Sequence, residues 1–334
     1  MAENAAESAA GSRGRLGQWI SLTVGLLISA ACLLFIAQKI DFAEVSEAFK
    51  KFEWHYFALG VLSLAFGYSM RILRWSRILN ATGSRVTFRQ CAAPFLGSIA
   101  MNNVLPLRLG DVVRAFVFPT SIGVPRTVAT SSLVMERLVD LMTLLMWLAC
   151  CLYFGPYADV PQWVKDTALL LASLGTAVLV GIFAFSGTLA RRLAGVSGVP
   201  MKTIRALLEG FDAMSRLPVL LNVFGLSLLV WIGEAGLFYS LLLGFALNAT
   251  PVAAMIIMAI ATLATLVPSS PGYVGPFHLA AFAGITLLGG TNEQAASFAV
   301  LSHLGLWVPT TLAGAVAIAL NPRMFKGLRA LHPR

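Results

Sequence analysis

Apolar residues run in unbroken stretches of span length at 19–38, 56–73, 127–154, 167–186, 218–247 and 294–320. Each is near or above the ~20 residues that a bilayer core requires, so the pattern predicts six transmembrane helices. Two further apolar regions, 91–119 and 251–289, are broken in the middle by "PLRLGD" and "PSSPGYVGP". Their halves, roughly 13–17 residues each, are short for a crossing but suit a helix that enters halfway and returns. The expectation is an all-α polytopic membrane protein with six spans and two re-entrant, broken-helix hairpins entering from opposite faces. Eight thin crossings would keep the same parity; the shortness of the halves favours re-entry. No strand periodicity and no nucleotide-binding glycine loop interrupts the pattern.

The segments between these stretches divide the chain further. Residues 1–18 are small and polar and predict a disordered cytoplasmic tail, and 321–334 form a short basic tail; 19–320 read as a single membrane domain. The first apolar run follows Arg13 and Arg15 and ends in "IAQK" without a small-x-small site, so it reads as a retained anchor rather than a signal peptide. "DFAEVSEAFKKFEW" at 41–54 predicts a short outer-surface helix ending at an interfacial Trp54. The cytoplasmic loop 187–217 repeats Ile204, Leu207, Leu208 and Phe211 at helical spacing, as in an interfacial amphipathic helix or a helix packed on the bundle.

Charge orients the chain. With the N-terminus inside, only Lys39, Lys50, Lys51 and Lys165 fall outside and Arg137 falls within a span, whereas Asp41, Glu44, Glu47, Glu53, Asp159, Asp166 and Glu293 are all outside. That asymmetry predicts both termini in the cytoplasm. A chain 58% hydrophobic and 12% charged, with mean hydropathy +0.81, lacks the charge a water-facing surface needs. The net charge of +9 is spread between apolar runs, which points to the membrane surface and not to nucleic acid. Cys32, Cys91, Cys150 and Cys151 lie in apolar stretches without CxxC spacing, so neither disulfides nor a metal site is expected, and no cofactor motif is present.

The polar residues at membrane depth are the candidate chemistry. An apolar half-helix from about Cys91 to Val104, bearing Asn103 near its end, is stopped by Pro106; Gly110 permits a turn, and Asp111 reads as the N-cap of a second half-helix carrying Arg114. Free N–H groups at that N-terminus, beside Arg108 and Arg114, favour an anion. In the second region Pro268, Pro271, Gly272, Gly275 and Pro276 break the helix before it restarts at Phe277. Broken helices entering from opposite faces point to a midplane site. "MERLVD" sets Glu136 and Asp140 on one face with Arg137 adjacent, to line a cavity and neutralise the hairpin arginines or to pair with Arg126. Glu234 is the single charge in its span. Arg71 and Arg74 lie deep enough to reach a lipid phosphate, while Arg77 reads as a headgroup anchor. His55, His303 and His332 have no partner in register and are assigned no role.

"RILRW", "GSIAMNNVLPLRLGDVVRA", "ERLVDL" and "PSSPGYVGPFHLA", in this order, resemble the lysylphosphatidylglycerol synthetase transmembrane-region family over about 15–320. The resemblance implies a flippase-like domain of the bacterial inner membrane that moves anionic, aminoacylated or other lipid-linked molecules. Carried onto matching positions, it implicates Asn103, Pro106, Arg108, Gly110, Asp111, Arg114, Glu136, Arg137, Asp140, Pro271, Gly272 and Gly275. The aminoacyl-transferring domain of the fused synthetases is not among these residues, so enzymatic lipid aminoacylation is not expected. His278 stands where the family often carries an acid, which leaves a proton-coupled role open there. The expected partners are membrane lipids, an anionic phospholipid or lipid-linked headgroup. The alternatives are a membrane-embedded lipid-modifying enzyme and a scaffold for a separate glycosyltransferase or synthase.

Overall fold

A computed structural model describes residues 23–155, 160–193, 198–247 and 249–325; the two expected tails, 1–18 and the end of 321–334, lie outside the described residues. The described chain is helical throughout, without a strand. In order the helices are α1 (Thr23–Ala37), α2 (Phe42–Lys51), α3 (Trp54–Ala81), α4 (Phe88–Val104), α5 (Leu109–Phe116), α6 (Arg126–Phe154), α7 (Gln162–Arg192), α8 (Val199–Met214), α9 (Leu217–Gly244), α10 (Pro251–Ala264), α11 (Pro276–Leu287) and α12 (Asn292–Leu320).

Five of them, α3, α6, α7, α9 and α12, are long and apolar enough to cross a bilayer; α1 and α2 form a bent pair, 85° apart, that supplies the sixth candidate. Asp41 caps α2, its side chain accepting from the Ala43 N–H at 2.7 Å, and acidic Glu44 sits in the first turn where the helix dipole favours it.

Helix ends depart from hydropathy where charge is buried or a helix projects. α3 continues to Ala81 instead of stopping at 73, because Arg71 and Arg74 face into the bundle and do not terminate the span. α7 runs to Arg192, and α8 fills most of the remaining loop. Of the two readings of that loop, packing on the bundle is the one observed: the Ser131 hydroxyl donates to the Leu207 carbonyl at 3.3 Å, and Phe211 and Met214 join Val139 and Val223. Along its outer face α7 exposes Leu170, Leu174, Val180 and Phe185, as a lipid-facing helix does.

Small residues set the tightest helix contacts, as expected where lipid supplies no hydrophobic drive between helices. α3 and α9 run antiparallel: the Glu53 N–H reaches the Gly244 carbonyl at one end, Ser63 donates to Gly233 at 2.9 Å in the middle, and Arg74 reaches Ser227 further along. A Cβ at Gly67 would meet Gly233 and Val230 backbone within 3.0–3.4 Å. α4 and α12 pair similarly, with Gly314 against Leu96 and Ala100 and Gly97 against Ile318.

Both broken regions are hairpins. α5 folds back on α4, and α11 folds back on α10, where Gly284 meets Ile257. The first lies along the C-terminal half of α12, Gly97 against Ile318 and Gly314 against Leu96, and the second lies along its N-terminal half, joined to it by residues 288–291; the tips meet α12 near its middle, at Thr310 and His303, so the two approach from opposite ends of that helix. α10 and α11 are apolar all round and correspondingly enclosed, burying Ile256, Ile257, Phe277 and Phe282 against Phe238 and Phe298.

Candidate functional site: a charged cavity at two hairpin tips

The first tip turns at Leu107 and Arg108, whose φ values of 58° and 52° are left-handed. Side chains with a Cβ hold that conformation at a cost of about 1–3 kcal/mol each. Gly110 is thus not the turn residue that the sequence suggests. It lies inside α5, where a Cβ would strike the Ser98 carbonyl oxygen and Asn102, so its bare backbone lets α5 touch α4. Nor is Asp111 an N-cap: α5 starts at Leu109 after Arg108, and Asp111 sits in the first turn. Its N–H donates to Asn102 Oδ1 at 3.1 Å, while Asn102 Nδ2 donates back to the Asp111 carboxylate at 2.9 Å. Pro106 opens the short turn between the halves. Asn103 fastens the end of α4 to α12, donating to Thr310 at 3.0 Å and Thr311 at 2.9 Å, and its carbonyl accepts from Trp307.

The second tip, Pro271–Tyr273 and the residues after it, turns at Gly272 (φ 75°) and Gly275 (φ 101°), with Tyr273 also left-handed. Gly275 lies against Ser29 of α1, whose hydroxyl donates to the Val274 carbonyl at 2.7 Å and accepts from the Ser270 N–H. From α12, His303 Nε2 lies 2.7 Å from the Gly272 carbonyl oxygen. His278 accepts the Gly275 N–H at 3.4 Å, and the two imidazoles lie with centroids 4.6 Å apart and planes tilted by 38°. The role withheld from His303 on sequence grounds is therefore corrected: it braces this tip, through a contact between residues 31 positions apart.

The tips meet. The Arg108 guanidinium donates to the Thr265 carbonyl at 2.9 Å and lies 5.3 Å from the Tyr273 ring. Beside this junction opens a cavity of about 440 Å³, lined from α3, α4, α5, α6, α9 and α10 by Arg71, Asn102, Arg108, Asp111, Glu136 and Glu234 among others.

Its charges are arranged in pairs. Arg71 bridges Asp140 at 3.3 Å and Glu234 at 2.8 Å. Arg74, wholly buried, reaches Asp140 at 2.5 Å, Glu136 at 3.4 Å and the Ser227 hydroxyl at 2.7 Å. Arg114 reaches Glu136 at 3.1 Å, Arg137 grips Asp111 at 2.8 Å, and Thr262 donates to Glu234 at 3.3 Å. Glu136 and Asp140 are thereby taken up by Arg71, Arg74 and Arg114, not by Arg126. Aromatic faces flank the same guanidiniums: Trp231 lies 4.8 Å from Arg71, and Phe95 and Trp75 lie 4.7 and 5.3 Å from Arg114. Each burial of charge is offset by an opposite charge, a hydrogen bond or a ring face.

Most candidates from the sequence gather here. Arg71, Arg108, Asp111, Arg114, Glu136, Arg137, Asp140 and Glu234 line the cavity. Arg74 stands behind it as a structural tie and offers no open face to a lipid phosphate. Pro271, Gly272 and Gly275 shape the second tip; His278 is buried beneath it. Sequence reasoning missed Tyr68, Asn102, Trp231, Thr262 and Tyr273, which line the cavity but carry no charge to mark them. Asn102 had a signal in the paired asparagines, of which only Asn103 was singled out.

This arrangement, two opposed broken helices over a paired-charge cavity, coincides with a sequence match to the lysylphosphatidylglycerol synthase TM region across residues 22–314. The chain belongs to that family. Glycosyltransferase AglD of Haloferax volcanii is 25% identical over an alignment covering 87% of the chain and 53% of AglD. A UPF0104 membrane protein of Methanothermobacter thermautotrophicus is 24% identical over 77% of the chain and 81% of that protein. The chain thus spans about half the length of AglD. It is an integral membrane protein of the family.

Proposed function

We propose that this chain is a lipid flippase of the bacterial inner membrane, with both termini cytoplasmic, which passes a phospholipid or lipid-linked headgroup through the cavity while the acyl chains stay in the bilayer. The observation that carries this reading is the meeting of two hairpin tips from opposite faces over a polar cavity within the spans. A headgroup lodged there exchanges water for fixed dipoles and charges, which lowers the cost of crossing the apolar core. Arg108 and Arg114 hold the phosphate, and the carboxylates keep the remaining guanidiniums neutralised.

The test is transport of an acyl-labelled phospholipid by purified protein in vesicles, followed by quenching of the outer leaflet. Wild type should exchange label between leaflets, and Arg108→Ala and Asp111→Ala should fall to the protein-free rate while remaining folded. Normal exchange by both variants sinks the assignment.

One observation favours a second reading, a membrane scaffold for a separate glycosyltransferase or synthase: the chain matches about half of a protein named as a glycosyltransferase. Co-purification with such an enzyme, without transport by the isolated chain, would support it. Product formation by the purified chain from a lipid donor would support catalysis instead.

A further inference from the structure

The charge pairing in the cavity bears on which headgroup it admits, given the flippase reading above. Each of the four carboxylates there is already held by arginine: Asp111 by Arg137, Glu136 by Arg74 and Arg114, Asp140 by Arg71 and Arg74, Glu234 by Arg71. The rings that would attract an ammonium are taken as well, Tyr68 and Trp231 by Arg71 and Tyr273 by Arg108. A cationic headgroup would have to displace a guanidinium from its carboxylate and expose that guanidinium in turn.

On the cationic side one group is left over. Five arginines face four carboxylates, and Arg108 has no carboxylate partner among the described residues, only the Thr265 carbonyl and the Tyr273 ring. Arg114, 2% exposed, keeps two nitrogens, Nε and Nη1, without hydrogen-bond partners in the protein, against one carboxylate oxygen, Glu136 Oε2, which is ion-paired to Arg114 at 3.1 Å but not hydrogen-bonded. Unspent donors on guanidiniums match the oxygens of a phosphate. Around them Asn103 Oδ1 and the hydroxyl lone pairs of Thr262 and Thr265, whose donors are spent inside the protein, are neutral acceptors suited to hydroxyls. Tyr68 lines both the cavity and a largely apolar crevice of about 230 Å³ between α3, α4 and α12, formed by Val61, Leu64, Ile72, Leu96 and Pro309. The crevice gives an acyl chain a place beside the headgroup.

We infer that the cavity selects a lipid whose headgroup carries one phosphate and otherwise neutral, hydroxyl-bearing groups, and discriminates against headgroups bearing an ammonium. Arg108 is the selecting charge.

The experiment offers the full-length detergent-solubilised protein an equimolar mixture of phosphatidylglycerol, phosphatidylcholine and lysylphosphatidylglycerol with identical acyl chains, and reads the retained lipid by native mass spectrometry. Phosphatidylglycerol should be enriched about tenfold or more over the other two, equivalent to about 1.4 kcal/mol. Arg108→Gln should abolish the enrichment, and Arg108→Lys should keep most of it, which separates loss of charge from loss of fold. Excess inorganic phosphate should not displace the lipid; displacement reassigns the site to free phosphate and overturns the lipid claim. Equal or preferential retention of either ammonium-bearing lipid, or unchanged enrichment in Arg108→Gln, overturns the selectivity. The same mixture in the leaflet-exchange assay separates the two proposals. Enrichment without exchange of any lipid defeats the flippase reading and leaves the selectivity standing; equal exchange of all three does the reverse.

Discussion

Asn102 and Asp111 clasp each other across the first hairpin, Asn102 Nδ2 donating to the carboxylate at 2.9 Å and the Asp111 N–H donating to Asn102 Oδ1 at 3.1 Å. The clasp depends on Gly110 between α5 and α4, because any Cβ there would collide with the Ser98 carbonyl. Gly110→Ala should therefore push the halves apart, costing about 1–3 kcal/mol by overpacking. Asn102→Ala, which leaves the Asp111 N–H and carboxylate short of a partner, should cost about as much. Thermal unfolding in detergent reads both, and unchanged midpoints would mean that the tip is not close-packed.

The two arginines nearest in chemistry should separate in effect. Arg74→Met takes from the buried Asp140 and Glu136 one of the two arginines that hold each of them, and should cost about 3–5 kcal/mol of stability. Arg108→Gln strands no carboxylate and gives up only the bond to the Thr265 carbonyl and the Tyr273 ring, so it should cost about 0.5–1.5 kcal/mol, while leaflet exchange falls to background. Comparable destabilisation by both would contradict the distinction between tie and binding group.

Arg137 and Asp111 join α6 to the first hairpin at 2.8 Å. Reversing either charge alone should place like charges together and depress transport. The double exchange, Asp111→Arg with Arg137→Asp, should recover part of the loss. A double-mutant cycle in the exchange assay measures the coupling, and strictly additive effects would show the pair to be incidental.

His303 supplies the side chain that holds the Gly272 carbonyl. Replacing it with Phe keeps a ring beside His278 but removes the hydrogen bond, a loss of about 0.5–1.5 kcal/mol. Hydrogen exchange at residues 271–275 should accelerate while that of α9 stays as it was.

The two hairpins are readable along the chain because proline and glycine punctuate them: Pro106 and Pro271–Gly275 mark the breaks to within a few residues. The acids of α6 are readable too, since Glu136 and Asp140 share a face by spacing alone. Pairing is not. Arg74 reads as a ligand for a lipid phosphate because its partners, Glu136 and Asp140, lie 62 and 66 residues away and only the packing of α3 against α6 and α9 brings them near. Gly110 reads as a turn residue because glycine usually is one; that it spares α4 a collision depends on a neighbour no local pattern reveals. His303 looks idle because the carbonyl it meets belongs to another helix.

The glycine seam between α3 and α9 binds Arg71, Arg74, Ser227 and Glu234 into a single stiff unit. On the flippase reading that unit is the stator. A motion that exposes the cavity to one leaflet and then the other would be carried by parts hinged against it, the two hairpins, whose tips are fastened to each other and to α1 and α12 through side-chain hydrogen bonds. A covalent staple between the tips should then freeze the machine, whereas one between α3 and α9 should leave it running.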